Sequence, residues 1–261
     1  MSRSKSQPVA LTIAGSDSGG GAGIQADLRT FTALGVHGTS VVTAVTAQNP
    51  KEVIGLEPVK PAMIGKQLEA VFSAFTPKAA KTGMLLAVGA VECVADFLGQ
   101  KKRLPLVVDP VMVSSSGSPL LQNSALKVLQ AKLLPLATLV MPNVPEAEEL
   151  TGLNIRQPED LRMAARALYE THGCSALVKG GHLPRMKESV DVLFDGKEEW
   201  LLTAPRSKGK ALPGTGCVYS AAITAELANG KRLSEAVHLA KEHVSIAIEN
   251  PRKAGRVRVL Q

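Results

Sequence analysis

Two glycine-rich stretches, each set against a helix start, hold the residues of this sequence best suited to chemistry. The first, Ala14-Gly15-Ser16-Asp17-Ser18-Gly19-Gly20-Gly21-Ala22-Gly23, follows an apolar run and opens a helical pattern. Gly21, Gly23 and Ala26 satisfy G-x-G-x-x-A, the dinucleotide fingerprint. That fingerprint expects an acidic residue about 20 positions on, whereas residues 41–45 are uncharged. Asp17 and Asp27 also flank the loop. Carboxylates repel a pyrophosphate but accept hydrogen bonds from a neutral, hydroxyl-bearing ligand, so the loop reads as a substrate site; a plain strand–helix turn is the bland alternative. The second stretch, Gly214-Thr215-Gly216-Cys217, precedes an Ala-rich helix. Backbone N–H groups at such a helix start form an anion hole for phosphate charge that develops during transfer. Cys217 falls in the first turn, where the helix dipole lowers a thiol pKa, so it is a candidate base or hydroxyl orienter. A small buried apolar residue is the other reading.

Three further segments carry polar groups. In Pro142-Asn143-Val144-Pro145-Glu146-Ala147-Glu148, Asn143 and Glu146 lie three apart at a helix start and can point to one spot. An amide with a carboxylate suits hydrated Mg²⁺, which takes few protein ligands; taken by itself, the pair is better explained as a helix cap. Lys179-Gly180-Gly181-His182 ends a strand, and its glycines let backbone and lysine approach a phosphate. Asp109 ends another, followed by Ser114-Ser115-Ser116-Gly117. His37, His172, His238 and His243 have no ligand-like spacing. The P-loop signature G-x-x-x-x-G-K-S/T is absent, which excludes that kinase class.

The elements that must position these residues alternate. Strand-like runs occupy 9–14, 41–45, 106–108, 139–140 and 176–179, with an antiparallel pair at 190–194 and 200–202 around Asp195-Gly196. Helical patterns occupy 24–34, 62–75, 161–169, 215–227 and 234–248. Alternation implies a mostly parallel sheet covered on both faces, with ligands beyond the carboxyl ends of the strands. Neither repeat nor linker interrupts the 261 residues, so a single domain over 1–261 is expected, with tails at 1–8 and 251–261.

Composition narrows the function. The chain is 45% hydrophobic but only 3% aromatic, so its core is aliphatic. Its net charge of +7 gathers at Arg3 and Lys5, in Lys101-Lys102-Arg103, and at Arg252, Lys253, Arg256 and Arg258. Without interleaved aromatics these runs make solvated faces, not a nucleic-acid platform. Cys93, Cys174 and Cys217 fit neither a disulfide framework nor a zinc site, which favours a reducing cytoplasm. No apolar run reaches membrane-helix length, and the first residues, MSRSKSQ, lack a signal core.

In order, LTIAGSDSGGGAGIQADLRTFTALGVHGTSVVTAVTAQN, AAKTGML, VVDPVM, PNVPEAEELTG, VKGGH, LTAPR and GTGCVYSAAITAELANG resemble the hydroxymethylpyrimidine/phosphomethylpyrimidine kinases of thiamine biosynthesis, within the ribokinase-like superfamily. The resemblance implies a three-layer α/β/α sandwich with a small β flap, a homodimer, and phosphoryl transfer from ATP with Mg²⁺, first to the alcohol and then to the monophosphate. It implies that Gln48 reads the pyrimidine edge, that Gly15, Asp17, Ala22, Asp27 and Met84 form the substrate pocket, and that Asn143, Lys179 and Asp109 serve ATP. Glu146 and Asp109 would serve the metal, Gly214, Thr215 and Gly216 the anion hole, and Cys217 the catalytic position. Two departures stand out: Leu212-Pro213 replaces the family's Thr-His, and RKAGRVRVLQ lacks its Gly/His-rich ending. A pyridoxal kinase and a non-catalytic pyrimidine-binding relative remain open alternatives.

Overall fold

The structure, a computed structural model, describes residues 6–101, 103–114, 117–183, 186–206 and 212–260. Arg3, Lys5, Lys102, Ser115 and Ser116 lie outside the described residues, as does most of the expected tail at 1–8. Strands β1 (Val9–Asp17), β2 (His37–Gln48), β3 (Val53–Pro58), β4 (Ala79–Thr82), β5 (Leu106–Val108), β6 (Leu139–Val140), β7 (Ser175–Lys179), β8 (Glu188–Phe194) and β9 (Glu199–Pro205) build one sheet. Its order is β3-β2-β1-β4-β5-β6-β7-β8-β9. The pairs from β2 through β7 are parallel, while β3 and the β8–β9 hairpin run antiparallel at the two edges.

Helices cover both faces. On one lie α1 (Gly23–Ala33), α7 (Thr215–Ala228) and α8 (Leu233–Glu249). On the other lie α2 (Pro61–Ala74), α3 (Val88–Leu98), α4 (Asn123–Val128), α5 (Val144–Thr151) and α6 (Pro158–His172). The central strands are short and apolar because both their faces are buried. Leu106, Val107 and Val108 of β5 are all at most 2% exposed, and alternate between the two cores. This is the ribokinase-like α/β/α sandwich, with β3 and the outer half of β2 forming the flap.

The expected tail at 251–261 is corrected. Residues 252–254 and 257–259 form an antiparallel hairpin, β10 (Arg252–Ala254) and β11 (Val257–Val259), turned at Gly255 with φ +58°. Leu260 then inserts between α7 and α8 residues at 3% exposure, which ties the segment down.

Candidate active site

Parallel strands all end at the same side of the sheet, so the segments after β1, β4, β5, β6 and β7 meet there. Beside Gly15 the β1–β2 register slips between Ala14 and Ser16, a bulge of the kind that re-aims side chains near sites. The Met84 methyl end occupies the place a Gly15 Cβ would take, so glycine is what lets the thioether reach this floor. Gln48, at the end of β2, is fixed by its backbone: its N–H donates to Ser18 Oγ at 2.8 Å, and Ser18 Oγ donates to its carbonyl at 3.0 Å. Its side-chain oxygen accepts from Thr46 Oγ1 at 3.4 Å, leaving Nε2 without a partner among the described residues.

Asp17 and Asp27 are placed differently from the expectation. Asp17 Oδ1 accepts the Gly19 N–H and Oδ2 the Ala22 N–H, both at 2.8 Å. The carboxylate and the Ala22 amide therefore shape their own loop rather than face a ligand. Asp27 has no exposed surface. Its Oδ1 pairs with Lys81 Nζ at 2.8 Å and its Oδ2 accepts from Thr12 Oγ1 at 2.6 Å. The carboxylate expected on the substrate thus lies a layer beneath the pocket. An ammonium on one oxygen and a hydroxyl on the other favour the ionised carboxylate. Burial pushes Asp27 up against the pull of Lys81 and Thr12. Burial pushes Lys81 down, yet Asp27, Cys217 and Asp109 together hold its ammonium above the ordinary range. Lys81 escapes a motif reading because nothing near it in sequence carries the partner; a charged residue in the strand-length run Ala79-Ala80-Lys81-Thr82 was the available signal.

The two glycine loops touch. Gly214 holds φ +83°, and the Gly21 carbonyl sits where its Cβ would be. Thr215 Oγ1 donates to the Leu212 carbonyl at 2.7 Å, and Leu212 packs into the α7–α8 core, so Leu212-Pro213 keeps the loop anchored. Cys217 reaches the third helical position of α7 beside Gly23, whose N–H stabilises the thiolate. The expected lowering of its pKa is corrected: burial, then Asp27 and Asp109, outweigh Lys81 and the Gly23 amide and push the thiol up to about 11. Cys217 is a thiol at neutral pH, which suits a hydroxyl orienter better than a base. In a Cys93→Ser background, iodoacetamide should alkylate Cys217 roughly a hundredfold more slowly at pH 7.5 than a free cysteine, with a rate still rising above pH 9. A plateau below pH 8 would show a depressed pKa instead.

On the other side of Gly216 stand Asp109 and Lys179, joined Nζ to Oδ1 at 2.8 Å. A Cβ on Gly216 would lie 3.5 Å from Asp109 Oδ2 and 3.6 Å from Lys179 Nζ, so the α7 start, the lysine and the carboxylate share one space. Asn143 caps α5: its Oδ1 accepts the Glu146 N–H at 3.0 Å, and Glu146 Oε2 accepts the Asn143 N–H at 2.8 Å. The cap reading of this pair is therefore correct geometrically, and it aims Glu146 inward, with Oε1 3.4 Å from the Met112 N–H. Burial raises Glu146 to about 7, Lys179 pulls it down, and Asp109 pushes it up. Among the described residues no cluster of three or more His, Cys, Asp or Glu could hold a metal. Two carboxylates, one of them raised by burial, nonetheless fit an ion that keeps its waters and leans on phosphate oxygens.

Known proteins resemble this chain over most of its length. The family described as phosphomethylpyrimidine kinase matches residues 17–260. The hydroxymethylpyrimidine/phosphomethylpyrimidine kinase of Haemophilus influenzae is 47% identical over 250 residues, 94% of this chain and 93% of that protein. The thiamine biosynthesis bifunctional protein of Geobacter sulfurreducens is 48% identical over 246 residues, and the chain spans 50% of its length. Among solved structures, a phosphomethylpyrimidine kinase from Clostridium difficile 630 superposes with a TM-score of 0.82 at 41% identity, covering 93% of this chain and 100% of that one. An ADP complex of Bacillus subtilis pyridoxal kinase gives 0.89 at 34% identity, covering 98% and 97%. The family match and these identities place the chain in one group: it belongs to the phosphomethylpyrimidine kinase family, the phosphotransferases of thiamine biosynthesis.

Proposed function

We propose that the protein phosphorylates 4-amino-5-hydroxymethyl-2-methylpyrimidine and then its monophosphate, taking the γ-phosphoryl group from ATP accompanied by Mg²⁺. The observation that carries this reading is the meeting of the α7 start with the Lys179–Asp109 pair at Gly216. Helix N–H groups and a lysine there would gather the charge of a phosphoryl group in flight, and such transfer depends on positioning and electrostatics more than on a base. Gly214, Thr215 and Gly216 form the anion hole, and Cys217 orients the alcohol. Met84, packed on Gly15, lines the ring, and Gln48 Nε2 reads its edge. Lys179 and Asn143 stand on the nucleotide side. Mg²⁺ would be held by Asp109 and Glu146 with phosphate oxygens, and would supply charge neutralisation between the phosphates.

A homodimer through the flap is part of the proposal, since Val45 and Ile54 there are 51% and 71% exposed. A cytoplasmic location suits Cys93, Cys174 and Cys217, all free thiols. Among the described residues no helix is long and apolar enough to cross a membrane.

ATP consumption with Mg²⁺ and the hydroxymethylpyrimidine, with pyridoxal in a parallel reaction, tests the reading. Turnover on the pyrimidine is expected, and Gln48→Ala should lower its kcat/KM roughly 10- to 100-fold, the worth of a hydrogen bond lost at a desolvated edge. Turnover on pyridoxal alone would make this a pyridoxal kinase, and pyrimidine binding without turnover would make it a non-catalytic relative.

A further inference from the structure

A second buried ion pair lies behind the nucleotide side of the site. β7 ends at Lys179, and the chain leaves the β7–β8 ladder for a single tight turn, Gly180–His182. Leaving the ladder orphans the Gly180 N–H, and a buried amide must find another acceptor. Asp191, the β8 residue paired with Lys179, supplies it: Oδ1 accepts the Gly180 N–H at 3.0 Å. Its Oδ2 accepts from Lys241 Nζ of α8 at 2.7 Å, and the ammonium also lies 3.4 Å from Ser189 Oγ and 6.0 Å from the Tyr219 ring centroid. Asp191 is 3% and Lys241 8% exposed. Gly180 is pressed so close that the Val190 carbonyl occupies its Cβ position. Arg206 Nη2 also donates to the Gly181 and Leu183 carbonyls, each at 2.6 Å.

Stability alone does not account for this pair. Replacing a buried ion pair with well-packed apolar residues is often neutral or stabilising, and Leu with Met would fill a similar volume. What apolar residues cannot do is accept the one amide at the foot of Lys179. We propose that Asp191, held by Lys241, is a positioning residue for the nucleotide: it fixes the Lys179-Gly180-Gly181 turn, and through it Lys179, against the phosphates of ATP. This rests on the nucleotide reading of Lys179 given above. A group held from behind in this way loses less order on binding.

Two double variants isolate the acceptor. Asp191→Leu/Lys241→Met and Asp191→Asn/Lys241→Met both abolish the ion pair, but only the asparagine keeps an oxygen for the Gly180 N–H. The ATP Kd by calorimetry, KM and kcat for both substrates, and Tm are measured for each. The leucine variant should raise the ATP Kd and KM about tenfold, the size of one hydrogen bond to a charged group, with kcat and the pyrimidine KM within twofold. The asparagine variant should return ATP affinity to within twofold of wild type. Equal ATP affinities in the two variants would overturn the proposal, whatever their Tm. Lys179→Ala separates the layers: if it leaves ATP binding intact, the nucleotide reading of the turn fails, whereas a weakened Lys179→Ala beside an unaltered leucine variant defeats only the role of Asp191. Should the leucine variant not fold, amide exchange decides. Wild-type protection of Gly180 is expected in the asparagine variant, and lost protection with intact ATP affinity would refute the idea.

Discussion

Lys81→Met is expected to lower stability by about 3–5 kcal/mol, because it strands a buried carboxylate. Among the described residues the ammonium is the only cation bonded to Asp27, and neither side chain is more than 1% exposed. Without Lys81, Asp27 must either stay charged in an apolar layer or take up a proton, and both cost free energy relative to the pair. For a chain of this size the loss should appear as a fall in Tm of roughly 6–15 °C. Adding Asp27→Leu should recover most of it, since the charges then leave together. The recovered double variant also measures what the pair does for catalysis. Lys81 is the strongest influence lowering the Cys217 pKa, so its removal should shift the alkylation profile of Cys217 to still higher pH. A double variant no more stable than Lys81→Met would show that Thr12 and the surrounding strands, not the charge, set the cost.

The pair also marks where sequence reading stops. Strand ends and glycine loops announce themselves locally: the β5 and β6 runs, Asp109, Lys179 and the Gly214 loop all fall where alternation and glycine placement put them. Lys81 and Asp27 are 54 positions apart, and Lys241 and Asp191 are 50 apart. Only the fold makes either into a pair. A lysine or aspartate taken alone reads as surface, so buried pairs are the part of a site that motifs hide. β4 was invisible for a related reason: two alanines and a lysine in four residues have little strand preference of their own, and the strand exists because β1 and β5 pair with it from both sides. α3 does carry a helical period over Val88–Leu98, with Ala90, Val91, Val94, Ala95 and Leu98 buried and Glu92 and Asp96 four apart on the outer face, a signal open to the same reading. The Asp17 misreading had a different cause: its carboxylate satisfies loop amides, a role that a turn-forming aspartate fills as readily as a ligand contact.

The largest catalytic effect should come from a single methyl group. Gly214→Ala places a Cβ on the Gly21 carbonyl and asks an L side chain to hold φ +83°. The backbone penalty alone is about 1–2 kcal/mol, and the steric contact cannot be relieved by rotating a side chain, since both partners are main chain. Relief must come from moving α7 away from the loop that follows β1, which separates the proposed anion hole from the proposed pyrimidine pocket. Loss of one well-aimed oxyanion donor costs about 10²–10³ in kcat, so Gly214→Ala should lose at least that much turnover. Gly230→Ala is the matched control. It has φ +88°, close to that of Gly214, but nothing within 4 Å of the added Cβ. It should pay the conformational penalty as a modest fall in Tm and keep its kcat. If the two variants lose turnover alike, strain rather than loop separation explains the effect; if Gly214→Ala keeps its kcat, phosphoryl transfer does not depend on the contact between the two glycine loops.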